Sequence, residues 1–292
     1  MIQDNAGARQ PTQCRRIGGW FVGAQGQENE RGIGEVLWDI VGEHETLGGA
    51  PVNFAYHAGQ LGAESWPVSA VGADERGRRA IGSLQSHDVA TDHIIEVEGA
   101  PPGYVRATVD GDGVASYTFP DDVAWDHLQI VQKTLDLAAR LDAVCFGSLA
   151  QRSARSREAI HRFLDALPPA ALKIFDLNIR QDFYSQKIIR DSLIKADVLK
   201  LNDEELTLMA GLEDLGGSPE EQARQLMGRF DLSLVVLTRG GNGSLLISPD
   251  ELSEHPGFKT DVVDTIGAGD SFTAVTAMGL LRGYSLQQIN EQ

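Results

Sequence analysis

The chain has 292 residues, 42% of them hydrophobic, enough for one large α/β domain or a main domain with a small appendage. A formal net charge of −17 argues against nucleic acid or an anionic membrane surface as partner, because affinity for polyphosphate rests on dense Lys and Arg. Its two cysteines, Cys14 and Cys145, lie far apart with no CxxC or Cys/His cluster, which excludes a structural zinc and fits a reduced compartment.

Residues 1–31 are polar and glycine-rich, with one apolar island at Trp20-Phe21-Val22, and read as a poorly ordered leader. They hold no signal-peptide core, and no stretch of the chain approaches the ~18 apolar residues of a membrane span, so a cytoplasmic protein is expected. The domain proper is expected over 32–292, opening with a buried strand, "GIGEVLWDIV" (32–41). "APVNFAYHAGQLGA" (50–63) has apolar residues at helical spacing, ended by Gly62, and "SWPVSAVG" predicts a second buried strand. "DERGRRAIGSLQSHDV" then reads as a helix with a turn.

"YVRATVDGDGVASYTF" differs in kind: two alternating runs flank Asp110-Gly111-Asp112-Gly113, a hairpin pattern, and predict a small sheet projecting from the main body. From about residue 125 strands and helices alternate. The strands are "LDAVCFGSLA", "LKIFDLNIR", "DVLKLN" and the long run "LSLVVLTRGGNGSLLIS". The helices are "SREAIHRFLDAL", "KIIRDSLIKA" and "SPEEQARQLMGRF", the last opening on a Ser218/Glu221 capping box. Cys145 falls inside an apolar run and reads as a buried small hydrophobe. Such alternation predicts an α/β fold in which helices cover both faces of a parallel sheet. Ligands of these sheets bind beyond the carboxyl ends of the strands, where the fold would gather Asp39, Asn53, Asn178, Arg180, Asn202, Glu205, Thr238, Arg239 and Asp270.

"DTIGAGDSF" (264–272) sets a carboxylate behind Gly267-Ala268-Gly269 and ahead of a helix-like run, Ser271 to Leu281. Glycines free the backbone to bend, and a helix N-terminus adds unpaired N–H donors, a combination that cradles phosphate. Asp270 fits two readings: a first-turn acid favoured by the helix dipole by about 0.3–1 kcal/mol, or a base that takes the proton of an attacking hydroxyl while neighbouring amides stabilise a transferring phosphoryl group.

"DTIGAGDSF" resembles the C-terminal signature of the ribokinase/PfkB carbohydrate-kinase family. "GEVLWD" (34–39), "GGAPVNFAYHAGQLG" (48–62), "VGADERG" (71–77), "KLNDEE" (200–205) and "LTRGGNG" (237–243) match its other motifs in order, so the resemblance covers residues 32–290. "GEVLWDI", "VAWD" (123–126), "FGSLAQR" (146–152) and "DLNIRQDFY" (176–184) are most similar to the bacterial fructokinase branch. The resemblance implies a ribokinase-like three-layer α/β/α sandwich with a mostly parallel central sheet. It further implies a small β lid around 103–119 that covers the sugar and pairs with another subunit's lid in a homodimer. It implies ATP-dependent phosphorylation of a sugar hydroxyl, fructose first, with 2-keto-3-deoxygluconate or another sugar as the alternative, and ATP, Mg²⁺ and K⁺ as cofactors.

Position by position, the resemblance makes Asp270 the catalytic base and Gly267, Ala268 and Gly269 its anion hole. Asp39, Gly48, Gly49, Asn53 and Arg180 fall to the sugar, Thr238, Gly240 and Gly243 to the nucleotide turn, Asn202 and Glu205 to magnesium and phosphate, and Asp264 to a monovalent cation. As bare sequence, "DEE" also reads as a solvated helix start, Asp264 as a turn residue, Arg180 as a surface ion-pair partner, and Tyr117 and Phe119 as packing residues of the lid. Two departures stand out. "GQENER" (26–31) occupies the place of the family's apolar opening strand. The chain also stops at Gln292, where the family continues with a further helix and strand that complete the adenine and cation sites. That apparent truncation raises the alternative of a catalytically impaired sugar- or nucleotide-binding protein.

Overall fold

In the computed structural model, which describes residues 28–109, 115–259 and 267–292, the elements follow each other as β1 (Asn29–Ile33), β2 (Leu37–Val41), β3 (His44–Gly48), α1 (Ala50–Gln60), β4 (Glu64–Gly72), α2 (Glu75–Ser86), β5 (Ile94–Val97), β6 (Gly103–Val109) and β7 (Ala115–Thr118). There follow α3 (Gln132–Ala138), β8 (Ala143–Gly147), α4 (Ala154–Asp165), β9 (Leu172–Asp176), α5 (Gln186–Lys195), β10 (Val198–Asn202), α6 (Asp203–Glu213) and α7 (Pro219–Phe230). The chain then runs through β11 (Leu234–Thr238), β12 (Ser244–Ile247), β13 (Leu252–His255), α8 (Ala268–Leu281) and α9 (Leu286–Asn290).

Nine of these strands form one sheet in the order β13-β12-β11-β10-β9-β8-β1-β4-β5. It is parallel from β11 through β5, while β12 and β13 turn back antiparallel at one edge. Alternate residues of each strand feed two separate cores. Cys145, Ile174 and Val236 pack beneath Phe54 of α1 and Ala274, Ala277 and Met278 of α8. Phe146, Phe175 and Val235 face Ile160 of α4, Leu193 of α5 and Leu226 of α7. The result is the expected α/β/α sandwich. Cys145 is buried as the apolar run predicts, and burial pushes its thiol well above the usual range.

A smaller sheet, β3-β2-β6-β7, stands apart from the main one. The hairpin expected at 103–119 supplies β6 and β7, which pair antiparallel with Val109 opposite Ala115, and the turn between them lies outside the described residues. The single strand expected at 32–41 is in fact two. Gly34, at φ +153°, ends β1, and the chain leaves the main sheet to enter the small one as β2, which pairs parallel with β6 and antiparallel with β3. Likewise the run 232–248 breaks at a 3-10 turn, Gly240–Asn242, into antiparallel β11 and β12.

The leader boundary also needs correction. Asn29 to Arg31 were expected in a leader ending at 31, but they begin β1, a central strand paired on both sides by β4 and β8. Glu30 and Arg31 are therefore fully buried in the middle of the sheet. Arg31 lies over the ring of Trp66, its cross-strand partner, at 4.2 Å, and donates to the Glu30 and Glu64 carbonyls. Glu30 shares its face with Gly32, where an added Cβ would meet the Pro51 carbonyl of α1, and neither carboxyl oxygen of Glu30 finds a partner. The backbone pairing, not the side chains, holds these residues there. Residues 1–27 of the expected leader lie outside the described residues.

Candidate active site

α8 begins where the glycines predict. Gly267 is its N-cap in the left-handed region at φ +76°, which a residue with a Cβ adopts only under strain. The first-turn N–H groups of Ala268, Gly269 and Asp270 have no acceptor within the helix and form a positive rim. Asp270 is partly buried on that rim, and its Oδ2 accepts a 2.8 Å hydrogen bond from Asn53 Nδ2 of α1. Burial, reinforced by the Asp176 charge, raises the Asp270 carboxyl to about 6; the Asn53 bond, Lys200 and Arg180 oppose the rise. A carboxylate so placed can exchange a proton near neutrality.

The small sheet sets Asp39 and Gly48 next to the start of α1, the helix that carries Asn53. Asp39 lies on β2 against Gly48 of β3, where an added Cβ would stand 2.6 Å from Asp39 Oδ2. Gly49 caps α1 at φ +116°, with the Glu35 carbonyl 2.5 Å from where its Cβ would be. The close approach of these two glycines lets α1 start beside β2, and that start delivers Asn53 to Asp270. Arg180 is exposed in the loop after β9, donating to the Ile179 carbonyl, and reaches Asp270 only through its charge. That loop is unusually bent: Asn178 and Gln181 both take the left-handed region, at φ +44° and +45°.

Beneath the rim lies a buried ion pair that sequence reading missed. Lys200 of β10 donates to Asp176 at the end of β9 at 3.0 Å, and Thr273 of α8 donates to the other Asp176 oxygen at 3.1 Å. Lys200 Nζ also sits 2.9 Å from where a Cβ on Gly269 would lie, so the first turn of α8 rests close on the lysine. Burial would lower the Lys200 ammonium, but the Asp176 and Glu205 charges outweigh it and raise it. Lys200 lies inside β10 and Asp176 ends β9, and only the pairing of these two strands brings them together. Glu35, in the link between β1 and β2, also carries no local sequence signal. It is fully buried, accepts from the Ala50 N–H at 3.3 Å, leaves Oε2 without a partner, and is raised by burial to about 7.

Asn202 and Glu205 form a capping box at the start of α6: the Glu205 N–H donates to Asn202 Oδ1 and the Asn202 N–H to Glu205 Oε2, each at 2.9 Å. Glu205 Oε1 also accepts from the Ile179 N–H at 2.8 Å, which ties the Arg180 loop to α6. Burial, with the Asp176 charge, raises the Glu205 carboxyl. Among the described residues no cluster of three or more His, Cys, Asp or Glu is placed to hold a metal; Asp264 lies outside them. Thr238 ends β11 opposite Asn202, and the turn that follows puts Gly240 at φ +53° and Gly243 at φ +84°. A Cβ on Gly243 would overlap the His255 carbonyl, so only glycine lets β12 and β13 close beside the turn. A cleft of about 480 Å³ opens there, lined by Arg239, Asn242, Glu254 and Pro256. Of the two aromatic residues at the β6–β7 hairpin's exit, Tyr117 is exposed, while Phe119 packs edge-on against Phe183 at 5.7 Å.

Residues 30–291 match the profile of the pfkB family carbohydrate kinase. A Pyrococcus horikoshii protein named as an uncharacterized sugar kinase is 28% identical over 267 residues, covering 86% of this chain and 82% of that protein. Its crystal structure in complex with ATP superposes with a TM-score of 0.77 at 27% identity, over 90% of this chain and 88% of that one. A 5-dehydro-2-deoxygluconokinase of Bacillus anthracis is 27% identical over 253 residues, 83% of this chain and 76% of that protein. The apo fructokinase of Vibrio cholerae superposes with a TM-score of 0.72 at 25% identity, over 89% and 92% of the two chains.

Proposed function

The chain belongs to the pfkB family of carbohydrate kinases, and on that premise we propose that it transfers the γ-phosphoryl group of ATP to a hydroxyl of a ketose, fructose first. The observation that carries this reading is Asp270: a carboxylate raised to about 6, aimed by Asn53, at the N-terminus of a helix seated on Lys200. Asp270 takes the hydroxyl proton as the sugar oxygen bonds to the γ-phosphorus. The bond from that phosphorus to the bridging oxygen breaks, and ADP leaves with its electron pair. The first-turn amides of α8 stabilise charge on the group in transit, and Lys200 adds positive charge below them.

Asp39 accepts from sugar hydroxyls, with Asn53 and Arg180 completing the pocket. The nucleotide lies along the turn Thr238–Gly243, whose glycine backbone leaves room for close approach. Mg²⁺, when bound, neutralises phosphate charge. Because both Glu205 oxygens already accept backbone N–H groups, Asn202 and Glu205 suit it through water rather than as direct ligands. Asp264 is the candidate for K⁺.

The alternative acceptor is a keto-deoxy sugar acid such as 2-keto-3-deoxygluconate; the likeness to a protein named 5-dehydro-2-deoxygluconokinase supports that class, and the exposed Arg180 has a guanidinium that suits its carboxylate. The test is ADP release on a panel of fructose, ribose, 2-keto-3-deoxygluconate and 5-dehydro-2-deoxygluconate. Fructose turnover well above the others is the expected result. Turnover with the acids alone replaces fructose by the alternative, and turnover with none refutes the kinase reading.

A further inference from the structure

Two sequence patterns, Val123–Asp126 and Phe146–Arg152, take no part in the site so far described. The structure brings them together across 26 residues. Arg152 grips Asp126 with both arms, Nε to Oδ1 at 2.9 Å and Nη2 to Oδ2 at 2.7 Å, and both side chains are only 8% exposed. The same Nη2 donates to the Pro120 carbonyl at 2.7 Å, just past the end of β7. The guanidinium lies between two rings, Trp125 at 4.1 Å and Phe183 at 4.6 Å.

Each of these contacts leads to a different part of the site. Trp125 presses on Gly103, the first residue of β6, so closely that a Cβ there would collide with its indole nitrogen. The Ala124 N–H donates to the Pro101 carbonyl at 2.8 Å. The entry to the β6–β7 hairpin and its exit at Pro120 are therefore held at one point. β6 in turn pairs with β2 along its length, with Val105 opposite Asp39. Phe183 belongs to the loop that carries Arg180, and it meets Phe119 of the hairpin's exit edge-on. A second tie joins loop and hairpin, from Gln181 Nε2 to the Tyr117 carbonyl. The 3-10 turn Ala124–His127, which carries Trp125 and Asp126, is bolted to α4: Ser153 Oγ donates to the Asp126 carbonyl and Ser156 Oγ to that of Trp125.

We propose that Arg152 is a positioning residue for the sugar, the joint that fixes the small sheet carrying Asp39 against the loop carrying Arg180. Its hydrogen bonds and ring contacts go to Asp126, Pro120, Trp125 and Phe183, and none goes to Asp39 or Arg180. The assignment of Asp39 and Arg180 to the sugar rests on the function proposed above. Arginine suits the task because its planar fork satisfies a carboxylate and a carbonyl at once while its faces stack on rings; a lysine offers one point charge.

The variants are Arg152→Met, Arg152→Lys and the double variant Arg152→Met/Asp126→Asn, the last removing the carboxylate that the first leaves buried and unpaired. Amide hydrogen exchange is read first, without any substrate. Exchange is expected to quicken by about tenfold in residues 103–109, 115–119 and 178–184, with β8 to β11 unchanged. Kinetics with fructose and ATP follow: KM for fructose should rise by about tenfold, kcat and KM for ATP should stay within about twofold, and the lysine variant should recover only part of the loss. Exchange that quickens uniformly through the main sheet in the double variant, or that is unchanged at those three segments, overturns the proposal. A KM for ATP that rises as much as that for fructose overturns it too. If the parent chain phosphorylates no sugar, the functional reading fails by itself, and the exchange pattern still decides whether Arg152 is the joint.

Discussion

Glu30→Gln is expected to make this protein more stable, and more so as pH rises. Glu30 sits at the centre of the main sheet with neither oxygen bonded, and burial, then the nearby Glu28 charge, raises its carboxyl from 4.5 to about 8. Below about pH 4.5 the carboxyl is protonated in both folded and unfolded chains, and it costs nothing extra. Between 4.5 and about 8 the unfolded chain releases a proton that the folded chain keeps, so folding stability falls throughout that window and levels off above it. At about 1.36 kcal/mol per pH unit, the loss is about 3 kcal/mol at pH 7 and about 5 above pH 8. Against a typical total of about 5–15 kcal/mol, that is a large share. Glutamine keeps the shape and removes the charge. Urea unfolding of both proteins near pH 5 and near pH 8.5 should show little difference at the lower pH and a gain of several kcal/mol at the higher. A difference between the two proteins that is the same at both values would mean that the Glu30 carboxyl titrates alike in folded and unfolded chains, and the reasoning would fail.

Asp270→Asn should lower turnover by about 10²–10⁴ while leaving sugar affinity nearly intact; near-normal kcat in a folded variant would remove Asp270 from the role of base. With Asp270 raised to about 6, kcat/KM should climb about tenfold per pH unit below 6 and flatten above it, because the base works only when ionised. Asn53→Ala deletes a bond that lowers Asp270, so the limb of the pH profile should move upward; a limb that stays in place would show that Asn53 does not tune the base. Asp39→Ala should weaken sugar binding by about 1.5–3 kcal/mol and spare ATP, as calorimetry on each ligand would show. Equal losses for both ligands would make Asp39 structural.

What could be read in advance divides along a physical line. β8 to β11 were legible because strands buried on both faces are continuous apolar runs, and the helices between them carry their own caps, as Ser218 and Glu221 do. The helix start at Gly267 was legible for the same local reason. β1 was not: two charged residues at the centre of a sheet violate the rule that finds strands, and only pairing with β4 and β8 reveals it. Nor were β2 and β3 legible as part of a second sheet, since β2 finds its parallel partner β6 more than sixty residues later. The site divides the same way. Asp270 announces itself through the glycines beside it, whereas Lys200 and Asp176 become a pair only when two strands come side by side, and Asp126 meets Arg152 only across a folded turn. A local motif names the residue that does the chemistry; the residues that hold it in place are scattered over the chain, because their partners are chosen by packing. The same logic marks Arg31 as more than an accident of composition. A guanidinium buried on an indole, with donors spent on two carbonyls, meets part of its need through the backbone of the strand that carries it and of its neighbour. Glu30, on the opposite face, has no such outlet. Two adjacent charges in one strand thus differ in consequence through the direction in which the pleat points them.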